Sequence, residues 1–464
     1  MTMRTPRARL ACLALGAVAL VARSAGGQSV RVRSSTTARY VQLQPIRYDP
    51  AAGAFLPLPV TYAAPITQDV ELSVWGLGVP GLRAYALLRG RAALGSELVW
   101  PRSDDHFDAL EAFVELERPL YRIRAGRQHR ASGLGWYAFD GVSATWRPRP
   151  TVRTEWYGGR GFTRGFLEPL SSEALRSLDP MRPVQNTILL GASLWAAPTS
   201  ASAVTAIYQR EILSDRSGLV SERAAIDARI GVGSRLVLTA AADADLALET
   251  WGRARASALV RLGRRSFLEI EGFRYKPVLD LTTIWGVFSP EAHRGLAVSA
   301  RLAPTRSVAL STSYIYRRYE PLTRGTPFLL DVDDEAQQLT AGARYALGDV
   351  VVEGTYRLQF GFGGAQSGGD AALTWASPDG WRAGLRGTAF QQEEAFRVAD
   401  GTVYGVGLDA SGRLGDRARL RAELMRYLHR PTEGQSAVNW SQTRALLGFE
   451  FWIGANPDRP GAYR

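Results

Sequence analysis

The 464-residue chain contains one cysteine, Cys12, and one lysine, Lys276. Beyond position 12 neither a disulfide nor a thiolate metal site can form. The four histidines, His106, His129, His293 and His429, never fall at H-x-x-x-H or H-E-x-x-H spacing, which removes the usual zinc signatures. No G-x-S-x-G is present, and Gly133-Leu-Gly135 lacks the strand-to-helix setting of a phosphate loop. After residue 21 no run of eighteen apolar residues occurs, so no transmembrane helix is expected. No fixed-period motif marks a propeller or solenoid. The residues therefore suggest no catalytic set, no metal and no cofactor.

What is present begins with a secretory signal. Arg4, Arg7 and Arg9 precede an apolar run from Leu10 to Val21, and Ser24, Ala25, Gly26 and Gly27 follow. Residues 1–27 are read as a signal peptide. Its removal takes Arg4, Arg7, Arg9 and Arg23, so the formal charge of +12 falls by four, to +8. Arginine carries nearly all of it. In a cytosolic protein such an excess points to nucleic acid; an exported protein meets lipopolysaccharide, anionic solutes and polysaccharide instead. An exported chain of this size without an apolar helix is either soluble or a barrel.

The remainder alternates in polarity from end to end. Leu236, Leu238, Ala240, Ala242, Ala244 and Leu246 share one parity, and Thr239, Asp243 and Asp245 the other. A period of two means strand. About 22 such segments are present, most about ten to fourteen residues long. Soluble strands average about five or six residues, whereas membrane-spanning strands need about nine to eleven. Tight Gly/Pro/Asp turns (Val79–Gly81, Pro304-Thr305, Gly348-Asp349, Gly415-Asp416) alternate with longer polar connections such as 95–106, 280–292 and 321–334. Two connections, near Ala131–Leu134 and Thr250, look short for the long-loop side. Tyr314, Tyr316, Tyr345, Tyr356, Phe360, Trp381, Tyr404, Phe449 and Phe451 lie on the apolar parity, as interfacial girdles require. The expected fold is all-β: a transmembrane antiparallel up-and-down β-barrel of about 22 strands, with 18 or 20 as alternatives. It would span 28–453 in the outer membrane of a diderm bacterium, with 454–464 as a periplasmic tail. The segment before the first long hairpin is too short for a plug domain. The segment 439–453, ending Phe-Glu-Phe-Trp-Ile, resembles the C-terminal assembly signal of such barrels, which implies the barrel-assembly machinery as a partner.

Parity then assigns charges to the lumen. The expected lining is Arg83, Arg89 and Arg91, then Glu111, Glu115 and Glu117, then Arg122, Arg124 and Arg130. The alternation recurs with Arg223 and Arg229, Asp243 and Asp245, Arg253, Arg255 and Arg261, and Glu269 and Glu271. Opposite charges on facing strands contribute roughly 0.2–1 kcal/mol per pair, while a lipid-facing arginine costs about 2–4 kcal/mol at the midplane. Most of these arginines are therefore expected to have cross-strand partners, and the surplus to create a field favouring anions. The connection from Thr163 to Gln185 is the expected constriction, with Glu168, Glu173, Arg176, Asp179 and Arg182 projecting from it.

One stretch, "RIRAGRQHRASGLGWYAFDG" from Arg122 to Gly141, holds four arginines, a histidine and four glycines. Its Gly126-Arg127-Gln128, Gly133 and Phe139-Asp140-Gly141 resemble the "GRQ…G…FDG" hairpin of alginate-export-type barrels and related porins. The match covers about 20 residues. The resemblance implies a wide, arginine-lined passive channel for an anionic polysaccharide or small solute. It places Arg127 and Gln128 in the GRQ role, and Phe139 with Asp140 at the start of the partner strand. Arg127 and His129 break the lumen parity of Arg122, Arg124 and Arg130, so a bulge or a position above the rim is expected there. The alternatives are a barrel that anchors surface polymer without conducting, and an outer-membrane hydrolase, which would need a histidine beside a serine or aspartate.

Overall fold

The computed structural model describes residues 29–44, 46–51, 54–95, 106–165, 186–214, 218–276, 292–320, 334–361, 365–393, 401–431 and 439–454. The candidate signal peptide and nearly all of the candidate tail lie outside the described residues, as do Glu168, Glu173, Arg176, Asp179 and Arg182.

Every described element is a strand. They are β1 (Ser29–Leu43), β2 (Ile46–Asp49), β3 (Ala54–Pro57), β4 (Thr61–Trp75), β5 (Leu82–Gly95), β6 (His106–Glu117), β7 (Tyr121–Ser132) and β8 (Gly135–Arg149). Next come β9 (Val152–Gly165), β10 (Thr187–Thr199), β11 (Ser202–Leu213), β12 (Leu219–Val232), β13 (Leu236–Asp245), β14 (Thr250–Arg261), β15 (Phe267–Tyr275) and β16 (His293–Leu302). The last are β17 (Val308–Tyr319), β18 (Glu335–Leu347), β19 (Val350–Gly361), β20 (Ala365–Ala376), β21 (Arg382–Glu393), β22 (Gly401–Leu414), β23 (Ala418–Pro431) and β24 (Trp440–Ile453). Strands β1 and β4 to β24 form one 22-stranded antiparallel sheet, each paired to its neighbours in sequence. The sheet closes because β1 pairs with β4 on one side and β24 on the other, from Val32↔Ile453 to Val41↔Arg444. Closure removes the unpaired edges that an open sheet of this size would expose. The pair β2–β3 is a small separate hairpin inside the β1–β4 connection, a stretch that reads as plain loop in the sequence.

The two faces differ as the parity requires. Ile226 and Ile230 on β12, Leu194 on β10 and Leu408 on β22 are 46–59 % exposed, while Asp243 and Glu115 on the other face are at most 2 % exposed. Large apolar side chains thus point away from the barrel all round, an arrangement stable only against hydrocarbon. Tyr314, Tyr345, Tyr356, Phe360, Tyr404 and Phe449 are exposed on that same outer face. The connections β4–β5, β6–β7, β8–β9, β10–β11 and their successors are tight, and both β1 and β24 have their chain termini at that end. The long connections gather at the other end. A closed wall, apolar outside and charged within, with tight turns at one rim, is an outer-membrane β-barrel.

Candidate pore lining and constriction

Strand β7 leaves the wall halfway along. Arg122 and Arg124 point inward, and then Gly126 adopts φ +124°, where a Cβ would lie 2.3 Å from the Ala112 carbonyl oxygen. Only glycine takes that conformation at such a close approach. The β6–β7 ladder ends there, at Ala112↔Arg127, whereas β7–β8 continues to Ser132↔Gly135. On the other flank β9–β10 stops at Ile188↔Arg160, while β8–β9 runs on to Trp136↔Gly165. The ends of β7, β8 and β9 therefore form a flap that is unpaired from both neighbours.

The flap leans into the lumen. Its tip reaches β12, where Arg223 Nη1 donates to the Leu134 carbonyl at 2.7 Å, and β14, where Arg253 Nη2 donates to the Gly133 carbonyl at 3.4 Å. Four strand spacings of about 4.8 Å separate β8 from β12 along the wall. Because Arg223 and Arg253 belong to the inward parity, the contact is a chord across the interior. Beneath it Leu134, Tyr137, Phe139, Tyr157, Leu189, Ile207 and Ala225 form a buried apolar cluster, with Leu134, Phe139 and Leu189 each 1 % exposed. Gly141 permits the close approach of β8 to β9: a Cβ there would meet the Gly158 carbonyl oxygen at 2.1 Å.

The two faces of the flap explain the parity break around Arg127. One face turns to the wall. Gln128 is buried, donates to the Gly141 carbonyl at 3.2 Å and accepts from Ser143 Oγ at 2.6 Å. Arg130 pairs with Glu155 at 2.6 Å, donates to Ser193 at 2.9 Å and sits 4.4 Å over the Tyr157 ring. Tyr157 donates to Gln209 at 2.8 Å. The other face turns toward β6. Arg127 binds Asp140 through two contacts of 2.7 and 2.8 Å and donates to the Ala109 carbonyl at 3.0 Å. His129 contacts Glu111 and stacks on Trp136. Phe139 and Asp140 lie inside β8, four and five residues after its start at Gly135, rather than at its beginning.

Several of the expected lining charges pair across strands. Glu115, with its side chain fully buried, is bracketed by Arg83 at 2.7 Å and Arg124 at 2.8 Å. Arg89 pairs with Asp69 at 2.7 Å. Arg91 reaches Asp108 at 3.1 Å, because the register slips between Leu87↔Glu111 and Leu88↔Ala109 and turns Asp108 inward. Asp243 binds Arg223 at 3.0 Å and Arg253 at 3.6 Å, and Asp245 accepts from the Leu248 amide at 3.0 Å.

Other charges do not pair as the sequence suggests. Glu117 pairs with Arg147 at 3.2 Å instead of Arg122, which donates to Thr145 at 3.4 Å. Arg229, Arg255, Arg261, Glu269 and Glu271 lie on the inward parity but form no ion pair among the described residues. The register gives the reason: Arg255 faces Ala241 and Phe273, and Glu269 faces Leu259 and Ser299, so opposite charges are offset diagonally.

Away from the flap the lumen stays open. A cavity of about 920 Å³ is lined by Arg301, Arg344 and Arg386 together with Glu353, Asp370 and Glu423. Arg386 pairs with Asp409 at 2.8 Å. Arg301, Arg344 and, on β19, Arg357 form no ion pair among the described residues. Parity on β16, β18 and β19 carries the signal for these three, which are absent from the expected lining. Nothing local in the sequence marks Leu134 or Tyr157.

No protein-family profile matches the chain, and no curated protein does. Among solved structures the chain is similar in outline to Acinetobacter baumannii OccAB2, with 10% identity, 91% of this chain and 98% of that one covered, and a TM-score of 0.46. It is likewise similar to the outer membrane protein opdK of Pseudomonas aeruginosa (10% identity, 91% and 99% covered, TM-score 0.43) and to Pseudomonas aeruginosa OccK3 (10%, 91% and 95%, TM-score 0.41). Likeness at this level carries no residue roles across; the barrel is read from its own closed strand ladder. Within that barrel the flap, the paired wall of β4 to β14 and the less paired wall of β16 to β21 define the candidate site.

Proposed function

We propose that the chain is a passive outer-membrane channel that favours small anionic solutes. The carrying observation is the set of inward arginines without an ion pair among the described residues: Arg229, Arg255, Arg261, Arg301, Arg344 and Arg357. Fixed cations on a pore wall raise the local concentration of anions and repel cations. The flap supports the same reading, because it fills one side of an otherwise wide lumen with packed side chains and leaves the passage along the rest of the wall, where Arg301, Arg344 and Arg357 lie. The hairpin resemblance points also to an anionic polysaccharide; the inward flap favours a small solute over an extended polymer.

Proteoliposomes containing the full barrel test this. A small dicarboxylate is expected to leave them several times faster than a diamine of equal size, and an oligomeric uronate more slowly than either. Faster diamine efflux would overturn the anion preference, and uronate efflux matching the dicarboxylate would move the reading to polysaccharide export.

A further inference from the structure

The outer face carries a row of cations where lipid should be. Arg274 on β15 is directly opposite Arg294 on β16, and Arg294 is directly opposite Arg318 on β17. All three belong to the outward parity of their strands, with the lipid-facing Ile270, Leu296, Leu310 and Tyr314. Lys276 follows Arg274 at the same parity, its amide held to the Gly252 carbonyl at 2.6 Å. The only lysine of the chain thus joins three arginines on three adjacent strands. Like charges directly opposite each other are destabilising, so this placement calls for a counter-charge.

The protein supplies part of it. Arg274 pairs with Glu320 at 3.0 Å and Arg318 with Asp334 at 3.3 Å, and Glu335 beside them accepts from Tyr316 at 2.5 Å. Both ion pairs are about half exposed and so are weak. Arg294, in the middle of the row, and Lys276 are exposed and form no ion pair among the described residues. Height fixes what they face. From Leu302 at the tight-turn end to Arg294 there are eight residues, about 26 Å along the strand and about 20 Å across the membrane at the usual tilt. The row therefore lies at the edge of an apolar band about 25 Å tall, on the long-connection side. That side faces the outer leaflet, where lipopolysaccharide presents phosphates at this depth.

We propose that Arg274, Lys276, Arg294 and Arg318 form a binding site for the phosphate groups of lipopolysaccharide on the barrel's outer wall. Arginine matches phosphate with paired, charge-assisted hydrogen bonds, and adjacent strands space the guanidinium groups so that one phosphate can be shared between two of them. The site lies outside the pore and does not depend on the channel reading. Its test is retention of lipid by the intact barrel in detergent, followed by native mass spectrometry, with bis-phosphorylated lipid A and its dephosphorylated form as probes. The wild-type barrel should retain the phosphorylated form at least tenfold better. Arg294→Gln should weaken retention several-fold, the combined Arg274→Gln, Arg294→Gln and Arg318→Gln variant should abolish the phosphate preference, and Arg294→Lys should preserve much of it. Heat-modifiable gel mobility shows whether each variant is a folded barrel; if the triple variant does not fold, Arg294→Gln decides. Equal retention of the two lipids by the wild type, or an unchanged preference in folded Arg294→Gln, would overturn the proposal.

Discussion

At the residue scale, charges in this barrel divide into those that hold the wall and those left to face the pore. Arg223 does the first. It joins Asp243, which is 2 % exposed, to the carbonyl of Leu134 at the flap tip. Arg223→Ala should cost about 1–3 kcal/mol by stranding a buried acceptor and should raise single-channel conductance by loosening the tip. Unchanged conductance in a folded variant would detach Arg223 from the constriction. Arg344 does the second. Arg344→Glu replaces a cation in the open cavity with an anion, a change on the order of 1 kcal/mol for a permeating charge close by in water. The anion-to-cation permeability ratio should fall several-fold in bilayer recordings, and no change would remove Arg344 from the conduction path. Gly126 is a third case. Gly126→Val places a β-branched residue at φ +124° against the Ala112 carbonyl, a strain of about 1–3 kcal/mol or more, and should lower the midpoint of heat-induced unfolding.

At the scale of elements, alternation was legible almost everywhere because each strand separates lipid from lumen, and a wrong-face charge is expensive. The parity of Arg83, Glu115 and Arg124 follows from that alone. The flap was not legible. Its turn is only Gly133-Leu134, whereas length alone points to the longest connection, 163–185, of which 166–185 lie outside the described residues. What draws the flap inward is a pair of partners 89 and 120 residues away in sequence, Arg223 and Arg253, together with the apolar pocket around Tyr157 and Leu189. The anomaly at Arg127 and His129 did leave a local trace. The broken parity marked the place; β7 runs through it without a bulge, and the inward lean of the flap, which puts both faces of the strand inside the barrel, is the physical cause. A cross-link tests the docked position. A Cβ at Gly133 would stand 3.4 Å from the Ala225 Cβ, close to disulfide geometry. With Cys12 the only native cysteine, a Gly133→Cys, Ala225→Cys variant should oxidise and lose maleimide labelling while retaining its basal conductance. Persistent labelling of both thiols under oxidising conditions would contradict an inward tip.

At the scale of the whole molecule, the surplus of positive charge has two destinations. On the outer rim, part of it forms the Arg274–Arg294–Arg318 row. In the lumen, it sits on both the paired wall and the open one. The sequence shows the surplus but not this division, since parity separates inside from outside without saying which inward arginines find an acid in register. Arg255 and Glu271 show the difference: they lie on adjacent strands with opposite charge and correct parity, yet Glu271 faces Ser257 and Arg255 faces Phe273. The proposed anion preference rests on the arginines of that unpaired remainder. The direct measurement is the zero-current potential of the purified barrel in a planar bilayer under a KCl gradient. Its sign should show chloride more permeant than potassium, with selectivity fading as salt screens the wall. A potential of the opposite sign would contradict the anion-channel account.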